Sequence, residues 1–198
     1  MTPSYLWPTL QGTRVRLRML VPADVPALFA MYADTRVMRY WSNAPYTSIE
    51  QAQAKFAELD RGSRAGESIS WAIADNRDDV LLGTCSLFEF SHQHRRASFG
   101  YALGSAHWGK GYALESTKLV VDFAFGELGL HRLEADVDPR NLPSLRVLDR
   151  LGFTREGVLR ERWHVAGETQ DSLICGLLAR DYVAGTAAAA AVTPAAPA

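Results

Sequence analysis

The stretch His107-Trp108-Gly109-Lys110-Gly111-Tyr112-Ala113-Leu114-Glu115 sets two glycines between a run that alternates like a strand, Ala97 to Leu103, and a run of helical period, Ala113 to Phe125. Glycines at a strand-to-helix turn let the backbone take φ values that a Cβ forbids, and they leave peptide N–H groups open to a ligand. The first N–H groups of a helix have no intrahelical partner, and the aligned peptide dipoles put partial positive charge there. Such a turn suits a phosphate or diphosphate; the alternative is a tight connection of small residues. Two common phosphate signatures fit poorly. A nucleotide-binding loop needs Gly-Lys followed by Ser or Thr, whereas Lys110 precedes Gly111. A dinucleotide fingerprint needs a small residue where Leu114 stands.

The second stretch runs Asp138-Pro139-Arg140-Asn141-Leu142-Pro143-Ser144-Leu145-Arg146-Val147-Leu148-Asp149-Arg150-Leu151-Gly152-Phe153. Alone it reads as a polar turn and a capped amphipathic helix, with Leu145, Leu148 and Leu151 inward and Gly152 as the stop. Asn141 is an ordinary turn residue whose amide can satisfy backbone groups or a ligand, and Ser144 an ordinary helix cap. Cys85 and Cys175 lie far apart in strand-like runs, which points to buried thiols and against a disulfide or zinc site. His92 and His94 fall in a polar turn with no third ligand near in sequence, so a solvated hairpin tip is the reading preferred over a metal.

The elements that must position these residues follow from periodicity. Strands are expected at Arg14 to Arg18, Ser68 to Ala74, Leu81 to Phe90, Ala97 to Leu103, His131 to Val137, Thr154 to Trp163 and Thr169 to Leu177. Helices are expected from Pro22 to about Tyr32, from a Ser48–Gln51 capping box to about Gly62, from Ala113 to about Glu127, and from Ser144 to Leu151. At 198 residues with 47% hydrophobic residues, residues 1–183 are read as one domain, and the Ala/Pro-rich 184–198 as a disordered tail. A formal charge of -1 gives no overall basic footprint for nucleic acid or an anionic membrane. The first residues lack a basic and apolar leader pattern and no run is long enough to span a bilayer, so a cytoplasmic location is expected.

Taken together, Trp108-Gly109-Lys110-Gly111-Tyr112-Ala113 and Asn141-Leu142-Pro143-Ser144, followed by Leu151-Gly152-Phe153 and Glu156-Gly157, resemble the acyl-CoA site of the GNAT N-acetyltransferase superfamily. The nearer likeness is to its ribosomal-protein-alanine N-acetyltransferase branch, and it covers about residues 12 to 182. The resemblance implies an α+β (α/β sandwich) fold, with a mixed, mostly antiparallel sheet of about seven strands whose central strands splay, flanked by about four helices. It implies acetyl-CoA as co-substrate, with no metal. The amides of Trp108, Gly109, Lys110, Gly111, Tyr112 and Ala113 would hold the diphosphate, and the backbone of Tyr101, Ala102 and Leu103, with Asn141 and Ser144, would hold the pantetheine arm. Ser144 would give a proton to the departing sulfur. The branch often has Glu two places before Gly100, where this chain has Ser98. The base is therefore sought elsewhere: Glu134, which shares a strand face with Asp136, or else Glu161, Glu115 or a water relay.

The activity so implied is transfer of an acetyl group to a primary amine by direct attack in a ternary complex, the preferred acceptor being the N-terminal α-amine of a protein. At pH 7 an α-amine needs only about 1 kcal/mol to shed its proton, against about 4.6 for a lysine, so a site with no strong base suits the former. The alternatives carried are a small-molecule amine (antibiotic, polyamine or amino acid), a non-catalytic CoA-binding sensor, and a structural module. The acceptor would enter beside the first two helices, where Trp41 and Tyr46 either touch it or pack in the core. No nucleic acid or membrane partner is expected, and a homodimer is compatible with the sequence.

Overall fold

A computed structural model describes residues 7–182 of the chain; the expected tail at 184–198 lies outside them. Eight strands form one sheet: β1 (Leu10–Gln11), β2 (Val15–Met19), β3 (Ile69–Asp75), β4 (Leu81–Ser91), β5 (Arg96–Leu103), β6 (Arg132–Val137), β7 (Thr154–Val165) and β8 (Glu168–Leu178). Their spatial order is β1-β2-β3-β4-β5-β6-β8-β7. Every pair is antiparallel except β5 with β6. Five α-helices cover it: α1 (Val25–Ala33), α2 (Thr35–Met38), α3 (Ile49–Ala65), α4 (Tyr112–Gly126) and α5 (Leu142–Leu151).

Each face of the sheet has its own core. Val15, Leu17, Trp71 and Phe99 pack with residues of α4 and α5 on one side. Leu28, Met31 and Tyr32 of α1 pack with Ala72 and Ala102 on the other. All seven residues of β3 are buried, as a strand covered on both faces requires.

The expected elements differ from this architecture in small pieces. β1 is an eighth strand, two residues long, too short to show a period, yet Leu10 is buried by it. α2 is a fifth helix of four residues, started by the Asp34 carboxylate accepting the Arg36 N–H at 2.9 Å. Pro22–Asp24 is a 3-10 turn, and α1 begins after it. α3 runs through Gly62 and stops at Gly66, whose φ of 73° closes the last turn. Gln51 Oε1 accepts from the N–H groups of both Thr47 and Ser48 at its start, as the capping box requires.

One irregularity positions the site. β5 and β6 are paired only at Arg96↔Arg132, Ala97↔Leu133 and Ser98↔Glu134. Beyond Ser98 they part, while β5 stays paired with β4 up to Leu103. The sheet opens into a gap that leads toward the glycine turn and α5.

Candidate active site

Gly109 and Gly111 have φ of 72° and 82°, values that glycine takes without strain. Nothing lies within 4 Å of the place a Cβ would take on Gly109, whereas one on Gly111 would meet Arg14 Nη2 at 3.0 Å. Among the described residues, no acceptor engages the N–H groups from Gly109 to Ala113. Trp108 differs: its N–H donates to the Ser105 carbonyl at 3.3 Å. Its expected place among the diphosphate donors is corrected accordingly, because the 3-10 turn at Ser105–His107 has already used that group. Five successive amides at a helix N-terminus remain open, which fits an anion.

Sequence reasoning missed what holds this turn. Arg14 Nη1 donates to the Lys110 carbonyl at 2.6 Å and its Nε to Glu115 Oε2 at 2.8 Å. The guanidinium also lies 5.2 Å from the centre of the Tyr112 ring. Glu115 accepts the Arg14 N–H as well, at 2.7 Å, so it anchors the turn and is spent as a base. Lys110 folds back, its Nζ donating to the Ala106 carbonyl at 2.9 Å. No local pattern flags Arg14, which meets its partners across about a hundred residues.

Along the gap, strand alternation decides which peptide groups are free. Gly104 donates to the Leu82 carbonyl at 2.9 Å, which turns the polar groups of Gly104 and Ala102 toward β4 and those of Tyr101 and Leu103 toward the gap. Ala102 therefore contributes no free backbone edge, contrary to expectation. The Leu103 carbonyl is taken by the Trp108 indole N–H at 2.9 Å. Tyr101 keeps the open edge.

On α5 the cap is Asn141, whose Oδ1 accepts the Ser144 N–H at 3.2 Å. The helix starts at Leu142, and Ser144 sits inside its first turn with a hydroxyl that capping does not use. Tyr101 OH donates to Ser144 Oγ at 3.2 Å, joining the gap to the helix. Burial pushes the Tyr101 phenol up to about 12, the bond to Ser144 opposing it, so Tyr101 keeps its proton at neutral pH.

A cavity of about 750 Å³ runs from this junction out between α1, α3 and β7. Tyr101, Asn141, Ser144 and Leu148 line its inner end, and Trp41, Phe88 and Trp163 are among the aromatic groups along it. Trp41 thus reaches the cavity, whereas Tyr46 packs on the Tyr32 ring at 5.1 Å between centres. Glu134 faces the cavity with both oxygens engaged, by Arg96 Nη1 at 2.8 Å and Arg132 Nε at 2.8 Å. Asp136 accepts from the Ser172 hydroxyl and has Arg162 Nε at 3.5 Å. Glu161, the alternative acid on β7, falls in a bulge at φ 53° with its own N–H on Asp171 Oδ1 at 2.8 Å, and it is absent from the cavity lining. Among the cavity carboxylates that sequence reasoning passed over is Glu89, which accepts Ser98 Oγ at 2.6 Å.

Cys85 is fully buried, and its thiol is held far above its usual range by burial; Cys175 is buried as well. Neither is a nucleophile in this state. Among the described residues no group of three or more His, Cys, Asp or Glu is arranged to hold a metal, and no helix is long and apolar enough to cross a membrane.

Comparison with known proteins decides what the open amides and the split sheet belong to. Residues 14–154 match the family model for the acetyltransferase (GNAT) domain. The chain belongs to the GNAT acetyltransferases. The N-acetyltransferase p20 of Bacillus licheniformis is 34% identical over 174 residues, 88% of this chain and 98% of p20. Two solved structures superpose on this acetyltransferase closely. The RimJ protein of Mycobacterium smegmatis, in complex with CoA-disulfide, has a TM-score of 0.80 at 25% identity, over 91% of each chain. A spermidine N-acetyltransferase from Vibrio cholerae, in complex with CoA and spermine, has a TM-score of 0.76 at 25% identity, over 85% of this chain and 98% of its own. This GNAT protein is an acetyl-CoA-dependent N-acetyltransferase, and the sensor and structural-module readings lose their support.

Proposed function

We propose that this acetyltransferase acts on a protonated primary amine, with the N-terminal α-amine of a polypeptide as its acceptor, by direct attack within a ternary complex. The observation that carries this reading is the cavity's acidic lining, Glu58, Glu89, Glu134, Asp136, Asp138 and Asp171, of which Glu89 and Asp171 have no cation partner among the described residues. An ammonium group is drawn into such a cleft. Most of these carboxylates are already paired, Glu58 with Lys55, Glu134 with two arginines, Asp138 with Arg140 and Asp136 with Arg162. The two left without a cation, Glu89 and Asp171, are weak bases, which matches an acceptor that parts with its proton at about 1 kcal/mol.

In this reading the amides of Gly109 to Ala113 hold the CoA diphosphate, and the free edge of Tyr101 holds the pantetheine arm. Acetyl-CoA supplies the thioester and a thiolate leaving group. The Tyr101 N–H facing the gap stabilises charge on the carbonyl oxygen, the kind of contribution worth about 3 kcal/mol when one such donor is removed. Tyr101 OH donates into Ser144 Oγ, so the Ser144 hydrogen points elsewhere and is available to the sulfur. Glu134, clamped by Arg96 and Arg132, fixes the rung at which the sheet opens.

A polyamine acceptor is the second reading, favoured by the same acidity together with the spermidine N-acetyltransferase among the structural relatives. A thiol-release assay over peptides with free and blocked α-amines, lysine peptides, spermidine and small amines separates the two. Free α-amines are expected to exceed their blocked counterparts in kcat/KM by more than about tenfold; equal rates, or spermidine as the best substrate, would overturn the α-amine reading.

A further inference from the structure

Neighbouring residues on a regular strand point to opposite faces, yet Phe88 and Glu89 both line the cavity. The cause is a bulge in β4: Phe88 is opposite Ser98 while Ser91 is opposite Arg96, so β4 fits one residue more than β5 into the interval. Glu89 occupies it at φ 52°, a left-handed conformation that a residue with a Cβ seldom adopts. The bulge swings the carboxylate back to the cavity side, where Oε2 accepts Ser98 Oγ. Ser98 itself is opposite Glu134 on the last rung before β5 and β6 part. Glu89 thus stands at the entrance of the gap where the reading above seats the thioester.

Its surroundings set it apart from the other acids. Among the described residues no Lys, Arg or His pairs with Glu89, and Ser98 takes only one of its oxygens, leaving Oε1 for a ligand. Asp171 is also without a cation, but one of its oxygens secures the β7 bulge through the Glu161 N–H.

We infer that Glu89 is the general base of the acetyl transfer, with Ser98 as its positioning residue, an assignment that rests on the proposed reading of the cleft. Glu89 takes one proton from the ammonium and passes it to solvent. The amine lone pair forms the new C–N bond at the acetyl carbonyl carbon as the C–S bond breaks. The second amine proton balances the departing thiolate by way of the Ser144 hydroxyl.

The test compares wild type with Glu89→Gln, Glu89→Asp and Ser98→Ala in thiol release from about pH 6.5 to about pH 9.5, spanning the α-amine's titration. It uses whichever amine is turned over fastest, so failure of the α-amine reading does not decide it. CoA affinity is measured alongside by calorimetry. Glutamine can still accept from Ser98, so the bulge keeps its bond. Glu89→Gln is expected to lower kcat about 100-fold near pH 7, with CoA affinity within about twofold of wild type, and the deficit should shrink as the amine arrives already neutral. Glu89→Asp should recover part of the loss, and Ser98→Ala should lose about fivefold with the same pH trend. A Glu89→Gln enzyme with wild-type kcat, or one whose deficit is constant with pH, overturns the assignment and leaves acetyl transfer standing. A wild-type protein that binds CoA yet releases no thiol with any amine overturns both.

Discussion

The two ends of the cleft are built from different materials. At the CoA end the contacts are peptide groups: five open amides from Gly109 to Ala113 and the freed edge at Tyr101, held by a turn that two positive-φ glycines make possible. At the acceptor end they are side chains, brought together from α3, β4, β6 and β8. Peptide groups are the same whatever the sequence, so the CoA end is fixed by conformation. Side chains differ at every position, so the acceptor end can be altered without disturbing the fold. Function on one scaffold diverges where chemistry is carried by side chains.

If that contrast is right, the sharpest way to break the CoA end is to deny it its conformation. Gly111→Val puts a β-branched residue at φ 82° and its Cβ against Arg14; CoA affinity by calorimetry is expected to fall about 100-fold, from strain plus lost amide geometry. Ser144→Ala lies at the junction of the two ends and should lower kcat about 30-fold with little change in KM for acetyl-CoA; unchanged kcat would remove Ser144 as proton donor. Arg14→Ala should weaken CoA by about tenfold through loss of the charge-assisted bond that sets the turn, with kcat at saturation nearly intact. Tyr101→Phe should cost about threefold in kcat, since the phenol acts only through Ser144.

The smallest effect is on stability at high pH and involves one tyrosine at each end. Tyr32, in the acceptor wall, and Tyr101, in the floor of the gap, are each pushed up to about 12 by burial. Below pH 10 folded and unfolded chains hold both protons alike. From pH 10 upward the unfolded chain releases them and the folded chain resists, so stability should decline from pH 10 to about pH 12, as read by urea midpoints. Tyr101→Phe should flatten that decline.

What was legible in the sequence follows the same division. The glycine turn and the Gly152 stop of α5 are written in consecutive residues and appear where expected, whereas α5 starts two residues earlier than expected, at Leu142. Ser favours a helix cap, which points to Ser144, but Asn141, three residues earlier, is the cap and accepts the Ser144 N–H. Glu89 was invisible because Leu81 to Phe90 alternates well enough to read as a regular strand, and a bulge is decided by the partner strand's register. Sequence does not reveal which edge of a strand each amide faces, so Ala102 is indistinguishable there from Tyr101 and Leu103. Arg14, Glu115 and Lys110 were separate observations in sequence and are one cluster in space. β1 and α2, two and four residues long, are too short for a period to repeat.

The Arg14 cluster also has a thermodynamic corollary. A single guanidinium ties the start of β2 to the loop before α4, so the entry of the chain into the sheet and the grip on the diphosphate are linked equilibria. Any ligand that steadies the loop must also protect residues around Leu10 to Arg16 from hydrogen exchange. By reciprocity, fraying of that short edge pair will be felt as faster loss of CoA.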